Sequence, residues 1–136
     1  MPTALAVTDT HSLLWWADSG KQRKLGRRAR AHFQRADREH AAIYVPTMVI
    51  AEISELVHLG RIELTLPFSA WLDSLERSES YLIADLTADV VRHANDLFAI
   101  AERGDRLIAA TARSLDVPLM TRDENIGATG VELLWD

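Results

Sequence analysis

Four carboxylates, Asp9, Glu52, Asp105 and Asp123, stand at points in the sequence where they could do chemistry. Asp9 and Asp123 each come just after a short apolar run read as a strand, and in open parallel sheets ligands collect at the carboxyl ends of strands. Glu52 lies inside an apolar helical stripe, and Asp105 comes directly after Gly104 at the start of a helical pattern. Each has an ordinary structural reading: Asp9, Thr10 and Asp105 suit helix N-caps, Asp123 suits a loop, and a lone Glu suits a surface. Convergence of all four is another matter. Carboxylates at close range raise one another's pKa and strain the fold unless a cation compensates. An all-oxygen site of this kind suits magnesium or manganese, which keep several waters and take phosphate oxygens directly. The chemistry expected of such a cluster is metal-assisted phosphodiester hydrolysis, with one metal ion, or two about 3.5 to 4 Å apart.

Positioning these acids falls to alternating strands and helices. Ala4 to Val7 is an apolar run, and Leu13, Leu14 and Ala17 then recur at helical spacing. Leu25, Ala29 and Phe33 mark a helix expected over Leu25 to Glu39, followed by a strand at Ala42 to Val45 that stops at Pro46. Val49, Ile50, Ile53, Leu56 and Val57 form one stripe of a helix over Thr47 to Leu59, with Thr47 as its N-cap and Gly60 at its C-terminal capping position. On that helix Glu52 falls about 100° from the stripe centre at Ile53, on the border of the buried face, whereas Glu55 points into solvent. The remaining expectations are a β-rich piece at Ile62 to Leu66, helices at Phe68 to Leu75, Ala88 to Ile100 and Asp105 to Leu115, and strands at Tyr81 to Ala84, Pro118 to Thr121 and Val131 to Leu134. This alternation predicts an α/β fold: a three-layer α/β/α sandwich around a mostly parallel sheet of four to five strands.

With 136 residues, 48% hydrophobic and 26% charged, the chain is expected to form a single domain over 1–136. It has no cysteine, which removes disulfide scaffolds, thiolate metal sites and cysteine nucleophiles together. Met1 to Val7 carries no basic export signal, and no apolar stretch approaches the roughly 20 residues that span a bilayer, so a cytoplasmic protein without membrane contact is expected. A net charge of −5 argues against broad electrostatic binding of nucleic acid. Residues 21–30 nevertheless hold six of the 15 Lys and Arg with no acid among them. Lys24, Arg27 and Arg28 in that run read equally as a solvated helix flank or as a phosphate-contacting face.

The five histidines lack the paired helical spacing of a zinc site and read as structural or exposed; His11 alone is near the acids. The four tryptophans could stack on RNA bases, but their helical and terminal positions favour packing, with Trp16 a candidate to face a second copy. There is no phosphate-binding or dinucleotide glycine motif.

Thr8-Asp9-Thr10-His11-Ser12-Leu13-Leu14-Trp15-Trp16 resembles the first acidic motif, and the helix after it, of the PIN-domain toxins of the VapC type, the ribonuclease halves of toxin–antitoxin pairs. Val49-Ile50-Ala51-Glu52-Ile53 resembles the second motif, and Leu59-Gly60-Arg61-Ile62-Glu63-Leu64 with Trp71-Leu72 the segment after it. Asp105-Arg106-Leu107-Ile108-Ala109-Ala110-Thr111-Ala112 is similar to the third motif almost residue for residue, and Leu119-Met120-Thr121-Arg122-Asp123-Glu124 matches the closing Thr-x-Asp element. The resemblance covers nearly the whole chain. It implies that Asp9, Glu52, Asp105 and Asp123 bind Mg2+ or Mn2+, supported by Thr10 and by Thr121 as a hydrogen-bonding group. By the same resemblance Arg106 contacts a carboxylate, the RNA or the antitoxin. The implied partners are an RNA substrate, a cognate antitoxin and a second copy in a homodimer. One departure is the lead-in Glu102-Arg103-Gly104, where many relatives carry Asp-Pro-(Phe or Ala); Glu102 stands in for the Asp.

Two other readings are weaker. A catalytically silent PIN-like module that binds RNA or protein is favoured only by the altered lead-in. An aspartyl-phosphate phosphatase with Asp9 as nucleophile lacks its second acid two positions later, where the chain has His11.

Overall fold

The computed structural model describes residues 4–136; residues 1–3, part of the Met1 to Val7 segment read above, lie outside the described residues. Its strands are the apolar runs of the sequence: β1 (Ala4–Thr8), β2 (Ala41–Pro46), β3 (Tyr81–Ala84) and β4 (Leu119–Met120). They form one sheet in the order β3-β2-β1-β4, and every pairing is parallel. Ala6, Val7, Ile43, Val45, Leu119 and Met120 are buried, which is why the central strands read as continuous rather than alternating apolar runs.

Parallel neighbours need crossovers, and helices supply them. Helices α1 (Thr10–Ala17) and α2 (Arg27–Asp37) link β1 to β2; α3 (Thr47–His58) and α4 (Phe68–Arg77) link β2 to β3. The return from β3 to β4, past β2 and β1, runs through α5 (Ala88–Ala94) and α6 (Arg103–Leu115), and a single turn, α7 (Glu124–Gly127), follows β4. Helices α2 and α3 pack on β2 and α6 packs on β1, giving the three-layer α/β/α sandwich expected from the alternation. The chain moves outward from β1 through β2 to β3 and then jumps to the opposite side of β1. Strand order therefore reverses between β1 and β4, the place where such sheets bind ligands.

Several boundaries differ from the sequence expectation. The helix expected from Leu25 begins at Arg27, because Leu25 is the buried end of a preceding 3-10 turn, Gln22–Lys24. Thr47 is the first residue of α3 rather than its cap, and its hydroxyl instead accepts a hydrogen bond from the Leu86 amide at 3.0 Å. Gly60 does terminate that helix, in the left-handed region at φ 70°. The piece at residues 62–66 forms no strand. Helix α5 ends at Ala94, since the amides of Asp96 and Leu97 bond three residues back and tighten the chain into a turn. The final strand reduces to one bridge, Leu119 to Leu133, because β4 offers only two residues to pair with.

The C-terminal tail is tied down at Trp135, whose carbonyl accepts the amides of Arg28 (2.9 Å) and Ala29 (3.1 Å) at the start of α2. Gly26 allows this approach: a Cβ there would lie 2.8 Å from Trp135 Cδ1 and closer still to its backbone. Its φ of −62° suits any residue, so the requirement is space. A Gly26→Ala chain is expected to lose about 1 to 3 kcal/mol, seen as a lower urea midpoint with an unchanged slope. Among the described residues no helix is long and apolar enough to cross a membrane.

Candidate acidic active site

The register of the sheet brings the first and last acids together. Thr8 pairs with Met120, and the Asp9 amide reaches the Met120 carbonyl at 3.3 Å, so the chain leaves β1 and β4 side by side. Asp9 caps α1, accepting the Ser12 amide at 2.9 Å through Oδ1, while the Ser12 hydroxyl donates to Met120 O at 3.3 Å. Asp123 caps α7 in the same way, through Asn125 N at 2.9 Å, and its own amide donates to the buried Thr121 hydroxyl at 3.2 Å. The capping reading and the functional reading are thus compatible: a cap takes up one carboxylate oxygen, fixes the rotamer, and leaves the other oxygen for the cleft. The Thr121 hydroxyl thus braces the turn that carries Asp123.

Glu52 lies in the second turn of α3, half-buried beside exposed Glu55, as its border position on the apolar stripe predicts. Thr10 holds it, donating its hydroxyl to Glu52 Oε1 at 3.0 Å. Asp105 sits in the first turn of α6, but it is not the cap. Glu102 is, accepting the amides of Gly104 (2.9 Å) and Asp105 (2.6 Å). The sequence misled here because Gly104 reads as a break, whereas it is a buried helical residue wedged between two carboxylates. A Cβ on it would meet Glu102 Oε1 at 3.1 Å and Glu52 Oε2 at 3.2 Å. Its missing side chain lets Glu52 approach the positive end of α6.

The cleft between these elements has a volume of about 340 Å3 and is lined by Asp9, His11, Trp15, Asp105, Thr121, Arg122 and Asp123. Burial pushes the Asp105 carboxyl up to about 6, and the charges of Glu102, Glu52, Asp9 and Asp123 push it the same way. Glu52 is also raised, by burial first, against the lowering effect of its Thr10 hydrogen bond, and then by Glu102 and Asp9. For Glu102 burial acts upward, but the amides of Asp105 and Gly104 outweigh it and hold the carboxyl below its ordinary value. The four predicted acids therefore converge closely enough to feel one another, and Glu102 is a fifth that spacing alone did not single out. Among the described residues no three of these side chains close to ligating geometry. The donor set nonetheless fits a hard divalent cation: oxygen ligands only, excess negative charge, and an Asp105 carboxyl raised by burial and by its acidic neighbours.

Arg106 does not reach a carboxylate. Its guanidinium donates to the carbonyls of Ile100 (3.0 Å) and Ala101 (3.3 Å) and lies 4.3 Å from the Phe98 ring, bracing the loop into α6. Of the basic run, Lys24 comes beside the cleft wall, with Nζ 5.6 Å from the Trp15 ring, while Arg27 and Arg28 are exposed at the start of α2 and line none of the cleft. Trp16 is engaged within its own chain, stacked on Phe33 at 5.5 Å and donating to Asp37 at 3.1 Å.

This geometry accompanies a family match. The sequence profile of the PIN domain matches residues 6–132. The chain belongs to the PIN domain family. Solved structures share its fold at low sequence identity. One is a chain of VapBC2 from Rickettsia felis bound to a promoter DNA fragment, at TM-score 0.68 and 16% identity, covering 97% of this chain and 99% of that one. Another is VapC20 of Mycobacterium tuberculosis, described as a Sarcin-Ricin loop cleaving toxin, at TM-score 0.64 and 14% identity over 96% and 99% of the two chains. A chain of FitAcB from Neisseria gonorrhoeae matches at TM-score 0.63 and 16% identity over 95% and 96%. No curated protein sequence matches the chain significantly. In this PIN domain the cleft at the strand-order reversal is also where Asp9, Asp105 and Asp123 gather.

Proposed function

We propose that this PIN domain, a single unit over 1–136, is a metal-dependent endoribonuclease toxin of the VapC type, held inactive by a cognate antitoxin. The observation that carries the reading is that Asp9, Asp105 and Asp123 line one cleft at the switch between β1 and β4, with Glu52 packed against Gly104 beside Asp105. The folds it shares include chains solved as toxin–antitoxin complexes, which supports an antitoxin partner. A homodimer in the cytoplasm completes the reading.

In this reading Asp9, Glu52, Asp105 and Asp123 hold Mg2+ or Mn2+. When bound, the ion supplies positive charge at the scissile phosphate and makes water a stronger nucleophile near neutral pH. The chain's own part is positional. Asp9 and Asp123 are fixed by their caps, and Glu52 is fixed by Thr10, so the carboxylates need little reorganisation to bind. Thr121 holds the turn that carries Asp123. The charge of such a cation would offset the crowding of carboxylates around Asp105.

Magnesium or manganese titration separates this enzyme from a silent binding module. A true site is expected to raise the unfolding free energy by about 2.7 kcal/mol at a hundred times the dissociation constant, read as a higher melting temperature. A melting temperature indifferent to both cations contradicts the enzyme reading.

A further inference from the structure

We propose that His11 and Trp15 form a stacking ridge for a nucleobase of the RNA strand whose phosphate occupies the acidic cleft; this rests on the nuclease reading above. The two residues are one turn apart on α1 and so share a face. Their ring centroids lie 5.8 Å apart at 42°. Both line the acidic cleft, and both also line a larger groove of about 650 Å3 beyond it. They therefore stand on the boundary between the place where a phosphate is cut and the surface over which the strand must leave.

Trp15 is built to stay in place. Trp135 backs it at 6.4 Å, and Trp135 is itself anchored by its carbonyl on the first amides of α2. Lys24 Nζ lies over the Trp15 ring, 5.6 Å from its centroid; this exposed, flexible ammonium must swing aside for a base to stack there, and it can then meet a neighbouring phosphate. Core packing explains Trp16, whose ring stacks on Phe33 and whose Nε1 is bonded to Asp37. Trp15 also packs partly against the core, but it differs in lining the cleft and in its indole N–H. That indole is half-buried at the cleft, and its Nε1 neither bonds to a described residue nor counts among their buried, unsatisfied atoms.

Electrostatics gives the ridge a purpose. In a chain of net charge −5 with five carboxylates around the cleft, phosphate contacts alone hold a strand poorly. Stacking adds affinity that does not depend on charge and tolerates any base, because every base has a π-face.

The test compares binding of a short single-stranded oligouridylate with that of the same backbone carrying abasic residues throughout. Calcium replaces magnesium, anisotropy reads the binding, and strand integrity is checked on a gel. Wild type is expected to prefer the base-bearing strand by about ten-fold or more. Trp15→Leu is expected to bind both strands at the wild-type abasic level, Trp15→Phe to keep most of the preference, and His11→Ala to lose part of it. A Trp15→Leu protein that keeps the full preference overturns the ridge, as does one that weakens both strands equally. Should Trp15→Leu not fold, an undiminished preference in His11→Ala overturns it instead. Cation-dependent binding of the abasic strand with no preference for bases in wild type rejects the ridge and leaves the cleft reading standing. Failure to bind either strand, with or without cation, overturns both.

Discussion

An Asp9→Asn chain is expected to cleave RNA about a hundred- to a thousand-fold more slowly than wild type while folding normally. The two halves of that expectation come from different oxygens of one side chain. Oδ1 caps α1 through the Ser12 amide, and the asparagine carbonyl can take over that bond, so the helix and the turn against Met120 should persist. What the amide cannot supply is negative charge in the cleft beside Asp105, which is what the proposed cation would need. Single-turnover cleavage read beside a thermal melt separates loss of chemistry from loss of structure. Wild-type activity in a normally folded Asp9→Asn protein contradicts the assignment of Asp9.

Asp105→Asn is expected to move activity and stability in opposite directions. The folded carboxyl titrates at about 6, above the ordinary value of 3.8. Between those two values the folded state binds more protons than the unfolded one, so the group's contribution to stability falls as pH rises through that window. At neutral pH without metal the ionised carboxylate is a liability. Replacing it with Asn is expected to stabilise the metal-free protein by about 1 kcal/mol, after discounting for the group's partial exposure, or about 4 °C in melting temperature. The same change should abolish cleavage and remove most of the stabilisation that magnesium gives wild type. Two curves of melting temperature against pH, with and without magnesium, check both halves. An Asp105→Asn protein less stable than metal-free wild type at neutral pH would contradict a carboxylate destabilised by burial and by its neighbours' charge.

Much of this was legible in the chain itself, and the reasons differ by residue. Asp9 and Asp123 follow apolar runs, so a parallel sheet sends both to the same edge; the register of Thr8 on Met120 then makes them neighbours. Glu52 and Glu55 were told apart by helical phase alone, and burial agrees. The start of α6 was hidden because Gly104 serves close approach inside a helix, and glycine in sequence reads first as a break. Arg106 was assigned by resemblance a contact with a carboxylate, the RNA or the antitoxin; of these the structure bears only on the first, since the guanidinium is taken up by the loop carbonyls at Ile100 and Ala101 and the Phe98 ring. The tail could not be placed, since its anchoring depends on the space at Gly26, more than a hundred residues earlier.

The most direct test of the acidic cleft is cleavage of total cellular RNA by the purified chain, freed of any bound partner, with magnesium or manganese and then with chelator. Discrete fragments that appear only with the cation and vanish in Asp9→Asn are the predicted result. Intact RNA with either cation, or fragments that persist in chelator, would contradict it.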